Sequence, residues 1–180
     1  ELGSVRKRVG SRSQYINSQF DRSVTWKDAE WMIQEWGGPF AIKGILNARD
    51  AVQAVKIGAT GIVISNHGGR QLDHAVSPMS VLPEIVDAVA GRADIIVDGG
   101  VRRGTDIVKA IALGAKSCMG GRPYLYGLSA GGQTGVSRAM QIISSELERD
   151  MSLMGVSRIE NIGTSHVRHR TNHSPYPANL

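Results

Sequence analysis

One cysteine, Cys118, stands alone among 180 residues. It cannot close an internal disulfide, and it cannot build a zinc site of the kind that needs several thiolates. A reducing cytoplasm is therefore the expected compartment. Aromatic residues make up only 5% of the chain, and none interleaves with the basic ones, which excludes the stacking platforms that hold single-stranded nucleic acid. No run of about 18 apolar residues occurs, so no helix is expected to span a membrane. The opening residues Glu1-Leu2-Gly3-Ser4 lack an initiator methionine and the charged and apolar regions of a signal peptide. They read as a cut start, with residues 1–24 as a mobile loop or cut N-terminus.

What is present is ordinary for a domain that buries a core, at 41% hydrophobic and 21% charged. The net charge of +5 is concentrated at the two ends. Arg6, Lys7, Arg8, Arg12 and Arg22 crowd the first stretch, and His166, Arg168, His169, Arg170 and His173 the last. Both segments are polar and weakly periodic, which reads as solvated tails, with residues 168–180 disordered. The sharper alternative is a basic arm that meets anionic lipid or a redox partner, placing the protein at the membrane periphery.

From Thr25 to Arg122, helical and extended patterns alternate with short connections, as in a parallel α/β fold. Thr25 to Asp28 reads as a capping box for a helix with an apolar face formed by Ala29, Trp31, Met32 and Trp36, ended by Gly37-Gly38-Pro39. Strands are expected over 40–43, 61–65, 94–98 and 116–119. Asn47 caps one intervening helix, Ser77-Pro78 opens the next, and a third runs from Thr105 to Leu113. Residues 50–59 and 106–115 line up as two copies of helix, glycine and strand start, so a βα unit repeats. In that register Ser65-Asn66 falls opposite Gly121-Arg122, both after strand ends, where a (β/α) barrel gathers its ligands. Only four strands are found, whereas a closed barrel needs eight and about 250 residues. Helices follow over 123–128 and 134–154, the second with a stripe of Val136, Met140, Ile143, Leu147 and Met151 expected to pack inward.

Three glycine-bearing segments carry chemistry. Ser65-Asn66-His67-Gly68-Gly69-Arg70 follows an apolar strand. Its glycines allow unusual backbone angles and close approach of a flat ligand. The imidazole of His67 can exchange protons, and the guanidinium of Arg70 can hold a carboxylate through two parallel hydrogen bonds. Asp98-Gly99-Gly100-Val101-Arg102 and Gly120-Gly121-Arg122 follow the next two strands. Their backbone N–H groups can cradle a phosphate, and their arginines add charge. Positive charge at Arg102 and Arg103 opposes the dipole of the helix they precede and calls for a compensating anion. Lys43 ends its strand where a cation can stabilise negative charge on a reduced cofactor. Cys118 reads as a small buried apolar residue and His74 as peripheral.

These blocks, with Ile42-Lys43-Gly44, residues 65–73 and 98–104 and Gly121-Arg122-Pro123, resemble in order and spacing the FMN-dependent α-hydroxy-acid dehydrogenases and oxidases. That family includes L-lactate dehydrogenase, glycolate oxidase and mandelate dehydrogenase. The resemblance covers about residues 26–154. It implies the C-terminal half of a (β/α)8 TIM barrel over residues 25–167, strands five to eight with their helices, and FMN as cofactor. It also implies oxidation of a small L-2-hydroxy acid to the 2-oxo acid. His67 would be the base and Arg70 the carboxylate anchor. Lys43, Ser65, Asp98, Gly99, Gly100, Val101, Arg102, Gly121 and Arg122 would hold the FMN, Lys43 at the flavin N1 and C2 carbonyl region. His67 would take either the hydroxyl proton, with hydride passing to flavin N5, or the Cα proton. No metal is implied. The expected partners are the hydroxy acid, the N-terminal half of the barrel and, in the intact protein, further copies of itself. The chain alone is then expected to be inactive. Two other readings are a non-catalytic FMN- or phosphate-binding half-barrel and another phosphate-binding barrel enzyme, for which His67-Gly68-Gly69-Arg70 has no evident use.

Overall fold

The computed structural model describes Tyr15 and residues 18–169. Most of the segment 1–24 with Arg6, Lys7, Arg8 and Arg12, and residues 170–180 with Arg170 and His173, lie outside the described residues. The chain divides into two compact units at the junction of Gly37 and Gly38.

The first unit contains helix α1 (Trp26–Trp36). The N–H and Oγ1 of Thr25 both donate to Asp28 Oδ2 at 2.7 Å, which fixes the first turn. Gly37 ends the helix in the left-handed conformation and donates its N–H to Ile33 O at 3.1 Å. The expected apolar residues are on this helix, but none of its side chains is buried, and Trp31 and Trp36 are 58% and 68% exposed.

The second unit is built on strands β1 (Ala41–Ile45), β2 (Gly61–Ser65), β3 (Asp94–Asp98) and β4 (Ser117–Met119). All are parallel and lie in the order β1-β2-β3-β4. Parallel neighbours need crossovers, supplied by helices α2 (Ala48–Lys56), α3 (Pro78–Val89) and α4 (Gly104–Ala112). Asn47 starts α2 by accepting the N–H of Asp50 on Oδ1 at 2.8 Å, and Pro78 occupies the first turn of α3, where its missing N–H costs nothing. Every residue of β2 is buried. Ile62, Ile64, Leu82, Ile85, Val89 and Val97 are the largest apolar side chains fully removed from solvent, and they join the sheet to its helices. Burial of each such side chain stabilises the fold by about 1.5–3 kcal/mol.

Helix α5 (Arg122–Leu153) follows β4 and loses helical geometry at Gly131 and Gly132, between the two helices expected from the sequence. Its stripe packs inward from Ile143 onward. Leu147 and Met151 lie against a second core of Val108, Ala112, Val156 and Ile162, whereas Met140 stays 52% exposed and does not join it. Among the described residues β1 pairs with β2 alone and β4 with β3 alone, which leaves one uncovered edge at each side of the sheet. This is the strand order of half a (β/α)8 barrel. No helix of the described residues is long and apolar enough to cross a membrane.

Leu82 is completely buried between α3 and the sheet. Leu82→Ala is expected to lower the unfolding free energy by about 2–5 kcal/mol in denaturant titration, through lost transfer energy and the cavity left behind.

Candidate active site

The centre of the site is the hydroxyl of Ser65, at the end of β2 and fully buried. Parallel register sets Ser65 beside Asp98, the last residue of β3. Ser65 Oγ donates to Asp98 Oδ2 at 2.6 Å. It accepts Lys43 Nζ from β1 at 3.1 Å and the backbone N–H of His67 at 3.0 Å. A hydroxyl has one proton and two lone pairs, so its capacity is filled. Lys43 closes the ring with an ion pair to Asp98 Oδ2 at 2.9 Å. Burial pushes the Asp98 carboxyl up, but the Ser65 hydroxyl and the Lys43 ammonium, by hydrogen bond and charge, outweigh it and hold the group below its ordinary value.

Beyond Ser65 the chain turns sharply. His67 adopts φ 55°, followed by Gly68 at 68° and Gly69 at 71°. The glycines take these angles freely, whereas a histidine held there carries about 1–3 kcal/mol of strain. The His67 N–H bond to Ser65 supports the turn from below. From β4's side, Arg122 Nη2 donates to Gly68 O at 3.1 Å. Asn66 Nδ2 donates to Val76 O at 3.3 Å and ties off the far end of the loop. Arg70 and His74 are both exposed, His74 almost wholly.

A cavity of about 770 Å³ brings Lys43, His67, Arg70, residues 98–102, Gly121 and Arg122 together. That volume lies in the range of pockets for small ligands and cofactors. Ser65 lies beneath it, reaching it through Lys43, Asp98 and His67. Every other residue singled out from the sequence as catalytic, substrate-binding or cofactor-binding lines this one space. Sequence reasoning missed its apolar wall, Met119, Leu125 and Tyr126, because exposed apolar residues at a strand end or a helix start give no signal of their own. It also missed that Lys43 and Asp98 are partners. Writing β1, β2 and β3 side by side at their C-terminal ends would have found them.

The anion called for at the start of α4 is internal. Asp106 Oδ2 accepts the N–H groups of Arg102 and Arg103 at 3.1 and 3.2 Å. Glu146, on α5, accepts from Arg103 Nη1 at 3.2 Å and from the N–H of Gly104 at 3.1 Å. Those three amides and the Arg103 guanidinium are therefore engaged by Asp106 and Glu146, and the Arg102 side chain, which lines the cavity, is not bound by either carboxylate. Burial pushes the Cys118 thiol up to about 11, with Asp106 adding to the shift, so it stays protonated and unreactive at neutral pH.

These donors fit a phosphate-bearing, planar cofactor such as FMN. A methyl group added at Gly100 or Gly121 would meet no atom within 4 Å, so the backbone there faces open space. Arg102 and Arg122 flank that backbone. Among the described residues Asp98 is the one carboxylate lining the cavity, and Lys43 pairs with it.

A sequence profile for FMN-dependent dehydrogenases matches residues 2–169. The L-lactate oxidase of Nostoc sp. is 49% identical over 151 residues, which cover 84% of this chain and 41% of that protein. A peroxisomal (S)-2-hydroxyacid oxidase of Arabidopsis thaliana is 47% identical, over 91% of this chain and 46% of its own length. Among solved structures, the monotopic membrane protein (S)-mandelate dehydrogenase superposes with a TM-score of 0.82 at 38% identity, covering 87% of this chain and 41% of that one. A flavocytochrome b2 variant with sulfite bound superposes at 0.78 and 42% identity, covering 81% and 39%. The chain spans less than half the length of each of these relatives.

Because the folded pKa of Asp98 lies below its unfolded one, the pairing stabilises the fold fully above the ordinary aspartate value of 3.8 and is lost as pH falls through the lowered folded value. Unfolding followed from pH about 5 down to about 2.5 is expected to show a steeper loss for the wild type than for Asp98→Asn. Parallel curves would remove Asp98 from the acid response.

Proposed function

The chain belongs to the FMN-dependent dehydrogenase family, and from that premise we propose that it forms the substrate-oxidising side of a flavoenzyme that converts a small L-2-hydroxy acid to the 2-oxo acid. The observation that carries the reading is the shared cavity, which His67 and Arg70 line together with Lys43, Asp98 and the glycines and arginines of 99–102 and 121–122.

Arg70 holds the substrate carboxylate, its planar fork matching the two oxygens. The positive φ at His67 and the tie of its N–H to Ser65 set the direction in which the imidazole faces the carbon bearing the hydroxyl. Oxidation of that carbon releases two electrons and two protons, and the imidazole accepts one of the protons. FMN, when bound, would supply the acceptor for the two electrons and the other proton. Lys43, Asp98 to Arg102, Gly121 and Arg122 hold it, with Ser65 fixing Lys43 and Asp98 from beneath. The partner that completes the site is the remainder of the barrel, covering the free edges of β1 and β4. Uncovered edges are prone to pair with other chains.

A second reading, an FMN- or phosphate-binding half-barrel without catalysis, is favoured by those two free edges. One experiment separates the two. The chain is combined with the N-terminal half of a family member, loaded with FMN and mixed anaerobically with L-lactate, glycolate or L-mandelate. Bleaching of the flavin absorbance supports the catalytic reading, and bound FMN that no hydroxy acid bleaches supports the second.

In the intact enzyme, His67→Ala is expected to slow flavin reduction about a hundredfold or more while FMN stays bound, as loss of a general base does. Loss of FMN instead would give His67 a structural role. Arg70→Lys is expected to raise KM strongly in steady-state assays, since an ammonium cannot reproduce the bidentate fork. An unchanged KM would count against the clamp.

A further inference from the structure

Gly44 is the extra residue of a β-bulge. Lys43 pairs with Val63 and Ile45 with Ile64, so Gly44 has no partner on β2, and its φ is 99°. Bulges bend a strand and re-aim its neighbours, and they recur beside active sites. This one follows directly on Lys43, the residue whose ammonium closes the ring with Ser65 and Asp98. What lies over the bulge is the His67 ring. A Cβ built on Gly44 would stand 3.0 Å from His67 Cε1 and 3.6 Å from Nε2. The imidazole therefore rests where any other residue at position 44 would place its side chain.

Two further constraints act on the same ring from the opposite end of its side chain. The backbone of His67 is held at φ 55°, and its N–H is bound to Ser65 Oγ. Together these leave the imidazole fixed at its root by the β2 turn and at its tip by the β1 bulge. A methyl group at Gly44 would force the ring aside by a few tenths of an ångström, or force β1 away from it.

We propose that Gly44 is a positioning residue for the oxidation: the bare backbone of the β1 bulge is the seat of the His67 imidazole and sets where its nitrogens meet the substrate. The proposal rests on the reading of His67 as the base. Gly44 itself touches neither substrate nor cofactor in this scheme. The competing account is that position 44 is glycine for its φ alone, with the ring an indifferent neighbour.

The test is a double-mutant cycle in the intact flavoenzyme, with the wild type, Gly44→Ala, His67→Ala and the double variant. Backbone strain from the added methyl is common to both arms and cancels. If the ring is seated on Gly44, Gly44→Ala lowers Tm by at least about 2 °C more when His67 is present than when it is alanine. The His67 Cε1–H resonance moves in Gly44→Ala. Flavin reduction slows by about tenfold or more with KM within about twofold of the wild type, since misplacement of a catalytic group costs rate rather than affinity. Equal Tm losses in both backgrounds with an unmoved resonance would overturn the seat and leave only the φ requirement. If Gly44→Ala does not fold, a double variant that folds and binds FMN supports the seat, and one that also fails to fold overturns it. Coupling in Tm together with no hydroxy-acid oxidation by any of the four proteins supports the seat while removing the base reading, so the two fail separately.

Discussion

A buried hydroxyl must use its one proton and two lone pairs, and Ser65 does so with groups from three stretches of chain. Asp98 from β3 takes the proton, and Lys43 from β1 and the backbone of His67 fill the lone pairs. The rest of the site is arranged around this saturation. It pins the ammonium that faces the cavity, keeps the carboxylate charged, and anchors the turn that carries the imidazole. Removing any one partner would leave a polar group unsatisfied in a buried place, at a cost of about 1–3 kcal/mol. Removing the hydroxyl would free the His67 N–H and leave Lys43 and Asp98 only each other. The sheet makes the arrangement possible, since parallel register brings Ser65 and Asp98 side by side at their strand ends.

Above this base the loops are held by cross-links that do not belong to any one strand. Arg122 reaches from the start of α5 to the carbonyl of Gly68, so the loop after β4 and the histidine turn share a hydrogen bond. Glu146, much further along α5, neutralises Arg103 and binds the first amide of α4. It thereby fixes the helix that follows the Asp98 loop. The long helix thus braces the cavity at two places, near its beginning and past its glycine break. The charge conflict at the head of α4 is settled within the protein, which leaves Arg102 and not Arg103 facing the cavity.

Much of this was legible in the residues. The limits of β2 and β3 followed from short apolar runs bounded by glycine and polar residues, and the repeat of 50–59 in 106–115 placed Ser65 and Gly121 at equivalent strand ends. The motif residues converge because parallel strands in sequential order carry their following loops to one side. What was not legible depends on pairing between distant segments. The Lys43–Asp98 ion pair needs the register of three strands, and no local pattern reports that the serine between them will be saturated. The bulge at Gly44 is invisible in the apolar rhythm of 40–45, which reads the same with or without one extra residue. The apolar stripe of α5 reads as continuous from Val136 to Met151, because periodicity marks a helix face but not where the neighbouring element begins. Met140 falls on that face and stays exposed.

The pairing of Asp98 with Lys43 has an effect at a distance. With one carboxylate matched by one ammonium, Arg70, Arg102 and Arg122 remain as the cavity's unbalanced charges among the described residues. A concave surface with an excess of one sign concentrates field lines at its mouth and raises the encounter rate of ions of the other sign. A carboxylate or a phosphate, being an anion, is drawn inward before any hydrogen bond forms. Such guidance reaches about 8 Å in physiological salt and shrinks as salt is added. The rate at which anionic ligands arrive is thus tied to ionic strength through the charge balance that this ion pair sets.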